Sequence, residues 1–198
     1  TIDQDVKDLE TIRAHFKVEQ FVPVGFSYLG KMVVMYAAAN PERVRRIVQL
    51  GPVANHPEMR SGSDDDTGVP AAAMERLQKM RDDGSMEKAP REYCLAASEA
   101  LRYMLVGDPK HAQGVKIDAM CSLENEWPVN LNPVMQSVGT SFYRSDVSDE
   151  ELKRITMPVL TIHGTKDRNA PYKGGRTWAS QLPDARIVTI PDAAHAMW

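Results

Sequence analysis

Cysteine is scarce in this chain: of 198 residues only two, Cys94 and Cys121, carry a thiol, and they form no CxxC or ligand-spaced cluster. That excludes a disulfide-dense scaffold and a thiolate metal centre. The pair reads as buried apolar fillers in a reducing compartment, with a single disulfide as the other reading. Long hydrophobic runs are also absent. The most apolar stretch, 21–40, is broken by Pro23, Gly25, Gly30 and Lys31, well short of the roughly 18–20 apolar residues that cross a bilayer. The first residues, Thr1-Ile2-Asp3-Gln4-Asp5, are acidic and contain no apolar signal segment, so the expected location is cytoplasmic. Positive charge is not in excess either: 24 Lys+Arg stand against 27 Asp+Glu, a formal charge of −3. Arg43, Arg45, Arg46 and Lys153, Arg154 read as solvated faces. Neither nucleic acid nor a membrane is expected as a partner.

What is present is ordinary for a folded domain, with 42% hydrophobic and 26% charged residues. Ile2, Val6, Leu9, Ile12 and Phe16 recur at steps of three and four, which predicts an amphipathic helix over 1–18 capped by Thr1. A short apolar run, 20–24, predicts a buried strand ending at Gly25, although Pro23 cannot donate to a ladder. A helix over 27–39 stops at Asn40-Pro41, and 44–50 predicts a second strand closed by Gly51-Pro52. Late in the chain the alternation returns: a strand over 158–163, a helix over 172–181 and a strand over 185–190. Strand–helix–strand order implies right-handed crossovers and a parallel sheet, hence an α/β fold.

The middle, 52–157, differs. Residues 61–68 read as a loop, followed by helical stretches near 70–82, 90–106 and 109–120 without a convincing strand. Eight of the eleven methionines lie here, suiting either a loosely specified helical core or an adaptable pocket. The domain division is therefore 1–51 with 158–198 as the sheet core, and 52–157 as an inserted helical lobe.

The chemistry gathers at strand ends. In Val24-Gly25-Phe26-Ser27-Tyr28-Leu29-Gly30 a strand runs directly into a helix. A serine on so sharp a turn projects its hydroxyl beyond the sheet edge, with the helix N-terminus aimed at the same point. The second small residue, Gly30, comes one place later than in G-x-S-x-G, and an N-cap role for Ser27 is the plain alternative. A nucleophilic serine needs a base, and the base needs a carboxylate to orient it. Asp167 follows the third strand and His195 the fourth. In a parallel sheet all these carboxyl ends share one edge, so Ser27, Asp167 and His195 converge there. His163 and Asp167 lack a third ligand for a metal, and Asp192 sits too close to His195 along its loop to be the better acid. Gly164-Thr165-Lys166 and Gly174-Gly175 lack the rest of a P-loop or dinucleotide fingerprint. His15, His56 and His111 read as surface or loop residues. Phe142, Tyr143 and Trp127 suit the lobe core or a substrate pocket.

Gly25 to Gly30, Asn40-Pro41-Glu42-Arg43-Val44, Pro158 to Asp167 and Pro191-Asp192-Ala193-Ala194-His195 together resemble the α/β-hydrolases with a helical cap, including the capped esterase and proline iminopeptidase-like enzymes. The resemblance implies Ser27 as nucleophile, His195 as general base, Asp167 as the orienting acid and the Tyr28 N–H as one oxyanion donor. Phe26 and Trp127 are the expected substrate contacts. No metal or organic cofactor is implied. The expected substrate is a small carboxylic ester, cleaved through an acyl-enzyme. A proline iminopeptidase-like aminopeptidase, which would need acidic groups such as Glu124 and Glu126 near the pocket, and a non-catalytic ligand-binding member of the fold are the alternatives. Carbon–carbon and thioester cleavage also fit. The resemblance further implies earlier strands, a second oxyanion loop and a closing helix that these residues do not supply. The expectation is an incomplete record of a longer polypeptide, or a chain needing a complement, because the helices present would cover mainly one sheet face.

Overall fold

The computed structural model describes residues 1–56, 68–121, 140–142 and 144–197. Among them four parallel strands run in chain order across one sheet: β1 (Val24–Phe26), β2 (Ile47–Leu50), β3 (Val159–Gly164) and β4 (Ala185–Ile190). The helices are α1 (Ile2–His15), α2 (Tyr28–Ala39), α3 (Ala71–Asp82), α4 (Ser85–Lys88), α5 (Pro90–Leu105), α6 (Asp149–Lys153) and α7 (Tyr172–Gln181). Short 3-10 turns occupy Pro41–Arg43, Pro109–Gly114 and Asp118–Cys121.

Thr1 caps α1 by accepting the Gln4 N–H, as its sequence position predicts. The helix ends three residues earlier than the periodicity suggests, at His15, and Lys17 turns the chain with φ +54°. The apolar stripe is also shorter than expected. Ile2 is buried and Val6 and Leu9 pack on the core, but Ile12 and Phe16 stand exposed. The first strand is shifted as well: Phe21 makes only an isolated bridge to Val44, and the ladder starts at Val24. Pro23 has no N–H to give, yet its carbonyl accepts Val48 N–H at 3.1 Å.

The core lies between the sheet and α1, α2 and α7. Val33, Val34, Tyr36, Ile47, Val159, Trp178 and Leu182 belong to it, joined by Val147, Leu152, Ile155 and Met157 from the segment just before β3. A polar thread crosses it: Thr161 Oγ1 donates to Gln49 Oε1 (2.8 Å), and Gln49 Nε2 donates to the Gly30 carbonyl (2.9 Å), tying two strands to the first turn of α2. Fully buried Lys31 is satisfied by Asp146 Oδ1 at 3.0 Å and the Asn55 carbonyl at 2.9 Å, with the Phe142 ring 4.9 Å away.

The opposite face of the sheet is different. Register places Val24, Val48, Leu160 and Arg186 in one row and Phe26, Leu50, Ile162 and Val188 in the next. Val24 and Val188 are exposed, and the inner members are only half-buried.

Between Gly51 and Pro158 no strand occurs among the described residues. Leu77, Tyr93, Ala96 and Ala100 join α3 to α5 in a separate small apolar cluster. Here one sequence reading needs correction. Cys94 and Cys121 are not separate fillers but a disulfide linking α5 to the 118–121 turn. Their side chains are buried as expected, so burial alone could not separate the two readings. The bond removes the ground for inferring a reducing compartment from cysteine usage. No described helix is long and apolar enough to cross a membrane.

Candidate active site

Ser27 stands between β1 and α2 with φ +54° and ψ −121°, a region non-glycine residues enter only when their surroundings force it. The forcing is visible. Ser27 N–H extends the ladder by donating to the Leu50 carbonyl (2.9 Å), while its own carbonyl accepts Gly30 N–H (2.9 Å) and Val53 N–H. A Cβ on Gly25 would fall 2.3 Å from the Leu29 carbonyl oxygen, so only glycine allows the strand to pass this close to the helix. Gly30 faces Pro52, whose Cβ would be 2.7 Å from an added methyl group, whereas Leu29 points outward and is 43% exposed. The second small residue is thus needed at position 30, and Leu29 does not obstruct the turn. Although Ser27 holds the N-cap position, its hydroxyl caps no helix N–H. The N-cap alternative therefore fails. Tyr28 opens α2, where an N–H has no partner within the helix. Its phenol donates to Asp5 Oδ2 (2.5 Å) and its ring meets that of Phe142.

Asp167 and His195 meet. His195 Nδ1 donates to Asp167 Oδ2 at 2.8 Å, both side chains being almost wholly buried. The other carboxylate oxygen accepts the N–H groups of Asn169 (3.0 Å) and Ala170 (2.7 Å). Burial is the largest influence on this carboxyl and disfavours its charge. Hydrogen bonds from His163 and His195, the His195 charge and the Ala170 N–H outweigh it and hold the acid below its ordinary range. Asp192 instead pairs with Lys166 at the surface (2.9 Å), away from the imidazole.

The two loops are latched together. Lys166 N–H donates to the Ala193 carbonyl (2.9 Å), and Asp192 N–H donates to Thr165 Oγ1 (2.9 Å). Gly164 leaves room for the Ala193 carbonyl, which would lie 2.3 Å from a Cβ there. The end of α5 joins the same structure: Ala196 N–H donates to the Leu105 carbonyl (3.0 Å) and Arg168 to that of Val106 (3.1 Å).

With Nδ1 committed to Asp167, Nε2 is the His195 nitrogen left for a hydroxyl. Phe26, the residue before Ser27, brings its ring within 4.6 Å of the imidazole, so the β1 turn and the loop after β4 share one rim. Ser27 donates no bond to His195 here; such contacts commonly close only around bound substrate. Beside the rim is a cavity of about 980 Å³, lined by Phe26, Leu105, Val106, Val115, Ile117 and Ala194 among others. Phe26 lies between this cavity and the His195 ring. Trp127, Tyr143, Glu124 and Glu126 lie outside the described residues. Phe142 is buried against Tyr28 and Lys31, a core position.

Two neighbours of the Asp–His pair carried no site role in the sequence reading. Gly51, with φ +49°, forms its floor: a Cβ there would be 3.2 Å from Asp167 Oδ2 and 3.3 Å from His195 Nδ1. His163, on β3, stands 3.2 Å from Asp167 Oδ2. The available signal was positional, a glycine and a histidine at the carboxyl ends of two adjacent strands.

A parallel α/β sheet with a strained serine turn and a buried Asp–His pair on its carboxyl edge describes the hydrolase class of this architecture. The alpha/beta hydrolase fold family matches residues 1–197, and the chain belongs to that family. It is 27% identical over 173 residues to the pimeloyl-[acyl-carrier protein] methyl ester esterase of Nitrosomonas europaea, covering 87% of this chain and 63% of that protein. To the enzyme of the same name from Chromobacterium violaceum it is 25% identical over 189 residues, or 94% and 67% of the two chains. The chain thus spans about two thirds of the length of these relatives. Among solved structures it is similar to a serine hydrolase from the polyaromatic-hydrocarbon-degrading bacterium Cycloclasticus zankles, with a TM-score of 0.67 at 19% identity, covering 99% of this chain and 64% of the other. At that identity the likeness speaks for the fold alone.

Proposed function

We propose that this chain carries the nucleophile, base and acid of a serine hydrolase acting on small carboxylic esters. Ser27 Oγ attacks the ester carbonyl carbon and its proton passes to His195 Nε2. Asp167 holds Nδ1–H and stabilises the imidazolium. The negative oxygen of the tetrahedral intermediate lies at the N-terminus of α2, with Tyr28 N–H as one donor. His195 then protonates the departing alkoxide, leaving an acyl group on Ser27, and water activated by the same imidazole releases the carboxylic acid. The observation that carries this reading is the buried 2.8 Å His195–Asp167 bond beside a serine held at positive φ. The ester-cleaving relatives favour esters over prolyl amides.

The reading extends to the open sheet face, which a further segment of the same polypeptide or a complementing chain would cover. A fluorophosphonate probe with mass mapping tests the nucleophile in the full-length protein. Labelling at Ser27 that disappears in Ser27→Ala is expected; an unlabelled, folded protein would favour a ligand-binding role instead. Comparison of p-nitrophenyl esters with prolyl p-nitroanilide tests the substrate, and a clear preference for the anilide overturns the ester assignment.

A further inference from the structure

His163 occupies a position on β3 where the sheet packs against α7, and an apolar side chain would fill that space without desolvating a ring nitrogen. Its side chain is fully buried, edge-on to the Tyr172 ring. Nε2 is 2.8 Å from the Ala170 carbonyl oxygen, which can only accept, so this nitrogen carries the proton. Nδ1 has no hydrogen-bond partner among the described residues. It is pressed against Gly175, where an added Cβ would come within 2.1 Å of it. The ring therefore presents its Nε2–H to the Ala170 carbonyl, its orientation fixed by a glycine on one side and that carbonyl on the other.

That carbonyl belongs to the residue whose N–H grips Asp167 Oδ1 at 2.7 Å. The same Nε2 lies 3.2 Å from Oδ2, the oxygen that accepts from His195. One imidazole edge thus bears on both oxygens of the acid: on Oδ1 through Ala170, on Oδ2 directly. We infer that His163 is a positioning residue for the Asp167–His195 pair, setting the rotation of the carboxylate so that Oδ2 faces His195 Nδ1. The inference rests on the proposed triad but names a role in it for a fourth side chain. Asp167 Oδ2 sits between two imidazoles, one a fixed polar edge and the other the base that must cycle its charge.

The test uses the full-length protein with His163→Phe, which keeps ring volume without a donor, and His163→Gln, whose amide can place an N–H where Nε2 is. With p-nitrophenyl butyrate, His163→Phe is expected to lower kcat about 10- to 100-fold, as for a small misplacement of a reacting group, while KM stays within about 3-fold. His163→Gln should recover to within about 5-fold of the parent on the same scale. The proton resonance of His195 Nδ1–H should move in the Phe variant and return towards its parent position in the Gln variant. Long-range proton–nitrogen spectra of the parent should show His163 as the Nε2–H tautomer. An Nδ1–H tautomer, an unaltered kcat and resonance in His163→Phe, or a Gln variant as impaired as the Phe variant each overturns the inference. Should His163→Phe not fold, the tautomer and the Gln variant decide. Failure of the triad reading is separate: the parent would then leave Ser27 unlabelled by fluorophosphonate, whatever position 163 holds.

Discussion

Gly51 carries no functional group, yet its missing side chain is what lets the Asp–His pair sit against the end of β2. At φ +49° an alanine is strained by about 1–2 kcal/mol. Its methyl group would also press on Asp167 Oδ2, His195 Nδ1 and Met197 Cε, the last at 3.0 Å. Gly51→Ala is therefore expected to lower kcat/KM for ester hydrolysis by at least about 10-fold, since displacing a catalytic group by a fraction of an ångström is costly. It should also destabilise the fold to denaturant by the amount of the backbone strain. Undiminished turnover in a folded Gly51→Ala protein would show that the pair does not depend on this floor. The placement of Ser27, Asp167 and His195 at the carboxyl ends of parallel strands was legible in the sequence, because each follows an apolar run closed by a turn. Gly51 and His163 were not, because their roles come from contacts across neighbouring strands. A glycine after a strand reads equally well as simple closure.

At the scale of elements, α7 and β4 fall where their apolar patterns place them, each bounded by proline or a turn. β1 does not. Its apolar run starts before Pro23, but apart from the isolated Phe21–Val44 bridge the ladder with β2 begins only at Val24. The disulfide was equally illegible as a pairing, since two distant cysteines acquire a partner only from tertiary structure. α1 shows how polar tethers supplement a short apolar stripe. Glu10 accepts from Tyr36 Oη (2.6 Å) and from Arg13 Nη2 (2.7 Å), while Asp5 accepts from Tyr28. The Arg13 hydrogen bond, then that of Tyr36, lowers the Glu10 carboxyl from its ordinary 4.5 to about 2. A carboxyl depressed on folding stabilises the native state above its ordinary value, and this contribution is lost as the pH falls from 4.5 through about 2. Glu10→Gln should thus be less stable than the parent at pH 6, with the gap closing as the pH approaches 2. Thermal melts of both proteins across that range check the sign. A gap that persists unchanged to pH 2 would mean the carboxylate charge is not what holds α1.

At the scale of the whole molecule, the two faces of the sheet are unequally covered. Ile47, Gln49, Val159, Thr161 and His163 on one face are buried. On the other, Val24, Phe26, Val48, Leu50, Leu160, Ile162 and Val188 range from half-buried to exposed. Parallel sheets are characteristically covered on both faces, because the crossovers that make them parallel lay helices on each side. An apolar face left partly open forfeits burial free energy at roughly 25 cal/mol for each Å² not removed from water, and contiguous apolar surface is a site of association. The 198 residues expressed alone are therefore expected to bind a hydrophobic dye such as ANS, to self-associate and to unfold over a broad range of denaturant. A longer polypeptide supplying the covering elements, or a complementing chain added in trans, should suppress dye binding and sharpen the transition. Slowed amide exchange in β1, whose outer edge has no strand partner among the described residues, would locate that cover. A monomeric 198-residue protein with no dye binding and a single sharp transition would refute the need for it.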